Sequence, residues 1–234
     1  MYIAEIKGKL SQRHENQEDI LTSNVFSFLK YAPRELFLHA FLNKLGFKVS
    51  KEEAKKARFH FWPGYEDRTE PDLVIVVGSY YLLFEAKLHS GFGKETEGLD
   101  SQLRRELDQS QKVAKQRYLA FHLIVVTAHY TYIHFLQELT SVSEDELIWV
   151  NWHWIGLLLE EILESAPDIS REMVSFANDL HELLLTKNLR RFSGIEAFFH
   201  EPNLKSVSGN LFFDPLSADY CFASNGNGKM AVPC

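Results

Sequence analysis

The stretch from Thr69 to Lys87 constrains this chain more than any other. It reads Thr-Glu-Pro-Asp, an apolar run Leu73-Val74-Ile75-Val76-Val77, the pair Gly78-Ser79, a second apolar run Tyr80-Tyr81-Leu82-Leu83-Phe84, and then Glu85-Ala86-Lys87. Two runs rich in Val, Ile, Tyr and Phe, separated by two residues with Gly first, predict buried strands joined by a tight turn. In that register Val77 pairs with Tyr80, and Asp72 lands opposite Glu85. Side chains alternate along a strand, so Lys87 shares the face of Glu85. Two like charges facing each other destabilise a ladder, and both runs are too apolar for an ordinary solvated edge. A divalent cation between the carboxylates removes the conflict, because Mg²⁺ takes hard oxygen ligands. An ammonium beside it suits charge that builds up on a phosphate. The plainer alternative is a hairpin end where Lys87 simply neutralises two acids.

Pro71-Asp72, followed across the hairpin by Glu85-Ala86-Lys87, resembles the signature of the PD-(D/E)XK nuclease superfamily, and the resemblance extends over residues 15–128. It implies a restriction-endonuclease-like α/β fold, a central mixed sheet flanked by helices, here with a helical C-terminal extension. The implied activity is metal-dependent phosphodiester hydrolysis, on DNA rather than RNA. Asp72 and Glu85 would ligate Mg²⁺ (or Mn²⁺), with the Ala86 carbonyl as a third contributor. Lys87 would orient the attacking water and stabilise the transition state. Members often carry an acid on the first core helix that completes the metal shell; Glu15, Glu18 and Asp19 compete for that role, and Glu18 is preferred. Gln102 resembles the helix glutamine that follows the Glu-X-Lys strand, placed to hold phosphate or water near Lys87. Arg105, one turn on, would meet the substrate backbone, with Lys112 further along the same polar side. The spacing of Gln102 and Tyr118 departs from the Gln-X-X-X-Tyr pattern of one branch. A homodimer would supply the two sites needed to cut both strands.

The remaining periodicities support an α/β reading without that resemblance. Ile20, Leu21, Val25, Phe28 and Leu29 recur at helical spacing between Glu15 and Lys30. Pro33 suits the first turn of a second helix, Arg34 to Leu45, closed by Gly46. Phe47-Lys48-Val49 reads as the start of a strand, residues 51–56 as a charged connection, and Arg58 to Trp62 as a strand ended by Pro63-Gly64. A polar, glycine-containing link, 89–98, leads to a long helix with Leu99, Leu103, Leu107, Ala114 and Tyr118 on one face. Phe121 to Thr127 and Leu147 to Val150 read as strands, residues 132–140 as a short helix, and Trp154–Leu163 and Ser170–Thr186 as amphipathic helices. The expected organisation is an arm over 1–14, a domain over 15–200 with its helical extension from about 130, and a loosely held tail over 201–234 with the patch Leu211-Phe212-Phe213 docked.

Composition narrows the partners. A formal charge of -7 argues against a protein that coats nucleic acid nonspecifically, since such binding depends on neutralising phosphates, but leaves room for a local basic groove. Cys221 and Cys234 form neither a disulfide framework nor a CxxC pair, the start lacks a signal-peptide pattern, and no window approaches the ~20 apolar residues of a membrane span. The expectation is a cytoplasmic protein with no membrane partner. His60, His122 and His153 sit in apolar runs and read as structural. Trp149, Trp152 and Trp154 read as a core corner rather than a base-stacking platform. The rival to a nuclease is a noncatalytic nucleic-acid- or protein-binding module on the same fold.

Overall fold

The computed structural model describes residues 2–7, 9, 18–66, 68–88, 102–129, 146–166, 168–189, 220–225 and 228–233. They fall into two units, Met1–Phe192 and Ser193–Cys234.

In the first unit the chain forms α1 (Tyr2–Ile6), α2 (Glu18–Tyr31), α3 (Phe37–Lys44) and α4 (Lys51–Lys55) before its first strand. The strands are β1 (Arg58–Phe61), β2 (Leu73–Val77), β3 (Tyr80–Lys87), β4 (Ala120–Thr127) and β5 (Leu147–Asn151). Helix α5 (Gln102–Gln116) links β3 to β4, and α6 (Trp152–Ser165) and α7 (Arg171–Thr186) follow β5. The hairpin of β2 and β3 has the predicted register, from Val77↔Tyr80 to Leu73↔Phe84. Gly78 sits at φ 53, a backbone conformation that calls for glycine. Strand β1 adds antiparallel to β2, while β4 and β5 add parallel on the other side, giving the order β1-β2-β3-β4-β5. The parallel pairing of β3 with β4 is possible because helix α5 returns the chain between them.

The pleat sorts the side chains into two cores. Leu73, Ile75, Val77, Leu82, Phe84, Ile124 and Val126 face the layer of α2, α3, α6 and α7. Val74, Val76, Tyr81, Leu83, Leu123 and Val125 face α5 through Leu103, Leu107 and Ala114. The result is a mixed sheet between helical layers. Strands β2 and β3 are buried on both faces, which is why they read as continuous apolar runs. The larger core is aromatic: Phe26 lies 5.0 Å from Phe84 and 6.2 Å from Trp152, ring centre to ring centre. Among the described residues no helix is long and apolar enough to cross a membrane.

Two local expectations are overturned. Phe47-Lys48-Val49 is not a strand; it is squeezed between Gly46, at φ 91, and Ser50, the N-cap of α4. Phe47 and Val49 still bury their side chains, which is what their apolar pattern registered. Residues 51–55 form α4 instead of an irregular connection, because Ser50 and Glu53 make a reciprocal capping box. Helix α6 starts at Trp152, earlier than expected, where the Asn151 side chain accepts from Trp154 N. The link 89–98, the helix over 132–140 and the patch at 211–213 lie outside the described residues. In the second unit β6 (Tyr220–Asn225) and β7 (Gly228–Pro233) pair antiparallel as a hairpin, in a segment where the sequence reading placed no strand.

Candidate functional site

The hairpin register sets the site. Asp72 is the residue just before β2, and Glu85 and Lys87 lie in the last turn of the pleat at the end of β3. Asp72 and Glu85 sit one step beyond the last ladder pair, Leu73↔Phe84. The Ala86 amide donates to Asp72 Oδ2 at 2.8 Å, which ties the two strand ends together. Lys87 Nζ lies 2.8 Å from Glu85 Oε1 and 3.2 Å from Glu18 Oε1. The Leu88 amide donates to Glu18 Oε2 at 2.6 Å, so α2 is pinned to the end of β3 by one carboxylate. From α6, Trp152 Nε1 donates to the Lys87 carbonyl at 3.2 Å. The backbone carrying Lys87 is thereby held from α2 and from α6.

Burial sets the electrostatics. Asp72 has its pKa raised to about 7, by desolvation first and by the Glu85 carboxylate second. Glu85 is raised to about 7, again first by desolvation; Lys87 opposes the rise, and the Glu106 carboxylate adds to it. Burial alone would lower Lys87, but Glu85, Glu18 and Asp72 outweigh it and hold the ammonium charged. The site thus holds two carboxylates kept close to neutral pH and one firmly protonated lysine. Such displaced titrations cluster where charge is handled in chemistry, although ion-pair networks produce them too.

The structure brings together Asp72, Glu85, Lys87 and Glu18, with Ala86 contributing its backbone. Of the three acids that competed at the start of α2, Glu18 reaches Lys87, Asp19 is exposed, and Glu15 lies outside the described residues. Gln102 is the first residue of α5, and its side chain lies outside what is described. Arg105 and Lys112 are both exposed on α5. Lys112 lines a shallow groove of about 160 Å³ between α5 and the β1–β2 loop, with Tyr65, Gln109 and Gln116. Tyr65 fixes that loop, its hydroxyl lying 2.8 Å from that of Tyr81 and 2.7 Å from Ser110 Oγ.

Two residues escaped the sequence reading. Glu106, on α5, is fully buried and close enough to Glu85 to disfavour its charge. A charged residue four positions after Gln102 on an apolar face was the available signal. Trp152 reads in the sequence as a core residue and is fully buried, yet its indole also holds the Lys87 carbonyl. Of the other aromatics, Trp149 is half-buried and donates to Thr127 Oγ1 at 3.0 Å. His122 packs 5.0 Å from Phe47, and His153 pairs with the Ala128 carbonyl at 3.1 Å.

Chemically, Asp72 and Glu85 offer facing oxygen donors of the kind a hard cation takes. Among the described residues no group of three or more His, Cys, Asp or Glu side chains is arranged to hold a metal. The positive charge between Glu18 and Glu85 is that of Lys87. The chain matches no family model, no curated protein and no solved structure, so these residues and their geometry carry the functional reading by themselves.

Proposed function

We propose that the protein is a metal-dependent nuclease with a restriction-endonuclease-like core, hydrolysing phosphodiester bonds in DNA in preference to RNA. The observation that carries this reading is the convergence of Asp72, Glu85 and Lys87 at one hairpin end, with Glu18 delivered to the same point by α2. Isolated carboxylates are not buried without a partner or a purpose, because losing water disfavours their charge. Here the buried Glu85 and the half-buried Asp72 sit close enough to disfavour each other's charge, and the hairpin supplies only one ammonium. Mg²⁺ or Mn²⁺, held by Asp72 and Glu85 with the Ala86 carbonyl, would supply the missing charge and a more acidic water. Lys87, charged and pinned through its own carbonyl, orients that water and stabilises charge on the phosphate. Glu18 sets where the Lys87 ammonium points. Arg105 and Lys112 are placed on an exposed helix side where phosphates could be met, and a homodimer would present two such sites.

The test is cleavage of DNA and RNA, each single- and double-stranded, with Mg²⁺ or Mn²⁺. Lys87→Ala is expected to lower the rate on the order of 100- to 1,000-fold, the usual cost of removing one positioned group that stabilises transition-state charge, with the fold kept. Cleavage by Lys87→Ala at the wild-type rate would sink the assignment.

A specific observation favours the second reading, a noncatalytic binding module. Lys87 already bridges Glu18 and Glu85, so the hairpin end is partly neutralised without any metal. That reading expects no cleavage with any cation and no metal-dependent rise in melting temperature that Asp72→Ala removes.

A further inference from the structure

Beside the site, the edge strand carries an aromatic surface that its sequence did not announce. Trp62 follows β1, and its amide donates to the Asp72 carbonyl at 3.1 Å, so it is the direct neighbour of Asp72 across the sheet. Adjacent strands lie about 4.8 Å apart, which places the Trp62 backbone at the rim of the site. Its φ is 45, in the left-handed region, costly for a bulky side chain and worth asking about when it occurs beside functional residues. The consequence is visible in the rings. Consecutive strand side chains point to opposite faces, yet Phe61 and Trp62 have ring centres 5.6 Å apart. The strained backbone turns the indole to the same side as Phe61, where it stays 36% exposed.

The row continues. Lys30 Nζ lies 5.5 Å from the centre of Phe61 and 5.0 Å from that of Tyr31, which is 70% exposed. Arg34 covers the next ring inward, Phe59, at 5.4 Å. The order along the surface is therefore Trp62, Phe61, Lys30, Tyr31: a cation between the half-buried Phe61 and the exposed Tyr31, with the exposed Trp62 at the far end. An apolar protein partner would want the rings without the cations. Stacked bases joined by phosphates want both, because every base has a face to stack and every linkage a charge to meet. A duplex hides its base faces, and so has nothing to give Trp62 or Tyr31.

We propose that the strip Trp62, Phe61, Lys30 and Tyr31 binds single-stranded nucleic acid and leads it to Asp72, Glu85 and Lys87, a proposal that rests on the hydrolase reading of that site. The occupied strand lies along the end of β1, its bases stacked on Trp62 and Tyr31 and a phosphate at Lys30. The next linkage reaches the site through the Trp62–Asp72 pairing.

The experiment is fluorescence anisotropy of end-labelled oligothymidine, oligouridine and a DNA duplex of equal length, with the full chain in EDTA so that nothing is cut. The expected result is single-strand binding at least about tenfold tighter than duplex binding. Trp62→Ala should lose roughly five- to 100-fold of it, the range for one base–aromatic stack, and Trp62→Phe should restore most of it. Tyr31→Ala, at a side chain that is mostly in water, provides the second variant, with circular dichroism confirming that each folds. The tighter of the two single strands names the sugar. Equal affinity for duplex, or unchanged single-strand binding in both alanine variants, would overturn the strip. Cleavage in Mg²⁺ that ignores Trp62 would overturn it too, while leaving the hydrolase. Single-strand binding that depends on Trp62, with no cleavage in Mg²⁺ or Mn²⁺, would support the strip and overturn the hydrolase instead.

Discussion

At the scale of the residue, Asp72 shows the conflict between stability and function most directly. Its pKa is raised to about 7, largely by burial and then by Glu85. A carboxyl whose pKa is higher folded than unfolded binds more protons in the native state between roughly pH 4 and 7. Stability therefore falls as pH rises through that window, and above it the full penalty is present. Glu85 adds a cost of the same sign. Without divalent metal, the melting temperature is expected to fall from pH 5 to pH 8, and Asp72→Asn should flatten that fall and raise the melting temperature at pH 8. The amide keeps an oxygen for the Ala86 N–H, so the strand tie survives, while the proposed cleavage should be lost. A steeper fall in Asp72→Asn than in wild type would show that the carboxylate is not the source of the penalty.

At the scale of the element, legibility followed the physics of local and long-range order. The hairpin of β2 and β3 could be read in full because composition, turn chemistry and pairing all pointed the same way, down to the pairing of Val77 with Tyr80. Strands β4 and β5 were legible for the same reason, being short apolar runs with clear ends. Helix α4 was missed because charge was read before capping, although Ser50-Lys51-Glu52-Glu53 carries the capping-box pattern outright. Phe47 and Val49 advertised burial, which a strand and a packed loop share. The site divides likewise. Asp72, Glu85 and Lys87 belong to one continuous stretch, whereas Glu106 and Trp152 reach it from helices far along the chain, and no spacing rule in a single sequence connects them. Helix α6 is where this matters most, since it starts one residue after the strand and immediately presents Trp152 to Lys87. Asn151→Ala removes the side chain that caps it and should lower the melting temperature by roughly 2–4 °C, the equivalent of about 1 kcal/mol in a chain this long. Because the cap sits next to Trp152, the variant's indole emission should also shift, and a melting temperature unchanged from wild type would show the cap to be idle.

At the scale of the whole molecule, the sheet is assembled from two kinds of pairing. The strands β1, β2 and β3 are antiparallel neighbours, while β4 and β5 join in parallel after intervening chain. Strand β3 is central in the finished sheet, flanked by β2 and β4. During synthesis it is not. At 5–20 residues per second, the stretch between the end of β3 and the start of β4 takes roughly 2–7 s to appear. For that interval β3 is a bare edge, rich in Tyr, Leu and Phe, of the kind that pairs with other chains. The charges at its end and before β2 then act as gatekeepers, breaking two otherwise adhesive segments. The same Asp72, Glu85 and Lys87 that burden the finished fold would keep the nascent chain from sticking to its neighbours. Replacing all three with neutral residues should raise the melting temperature of the refolded protein yet increase the fraction that pellets after cell-free translation. If the melting temperature rose while the pelleted fraction stayed level or fell, the site's charges would have no part in the life of the chain before it is complete.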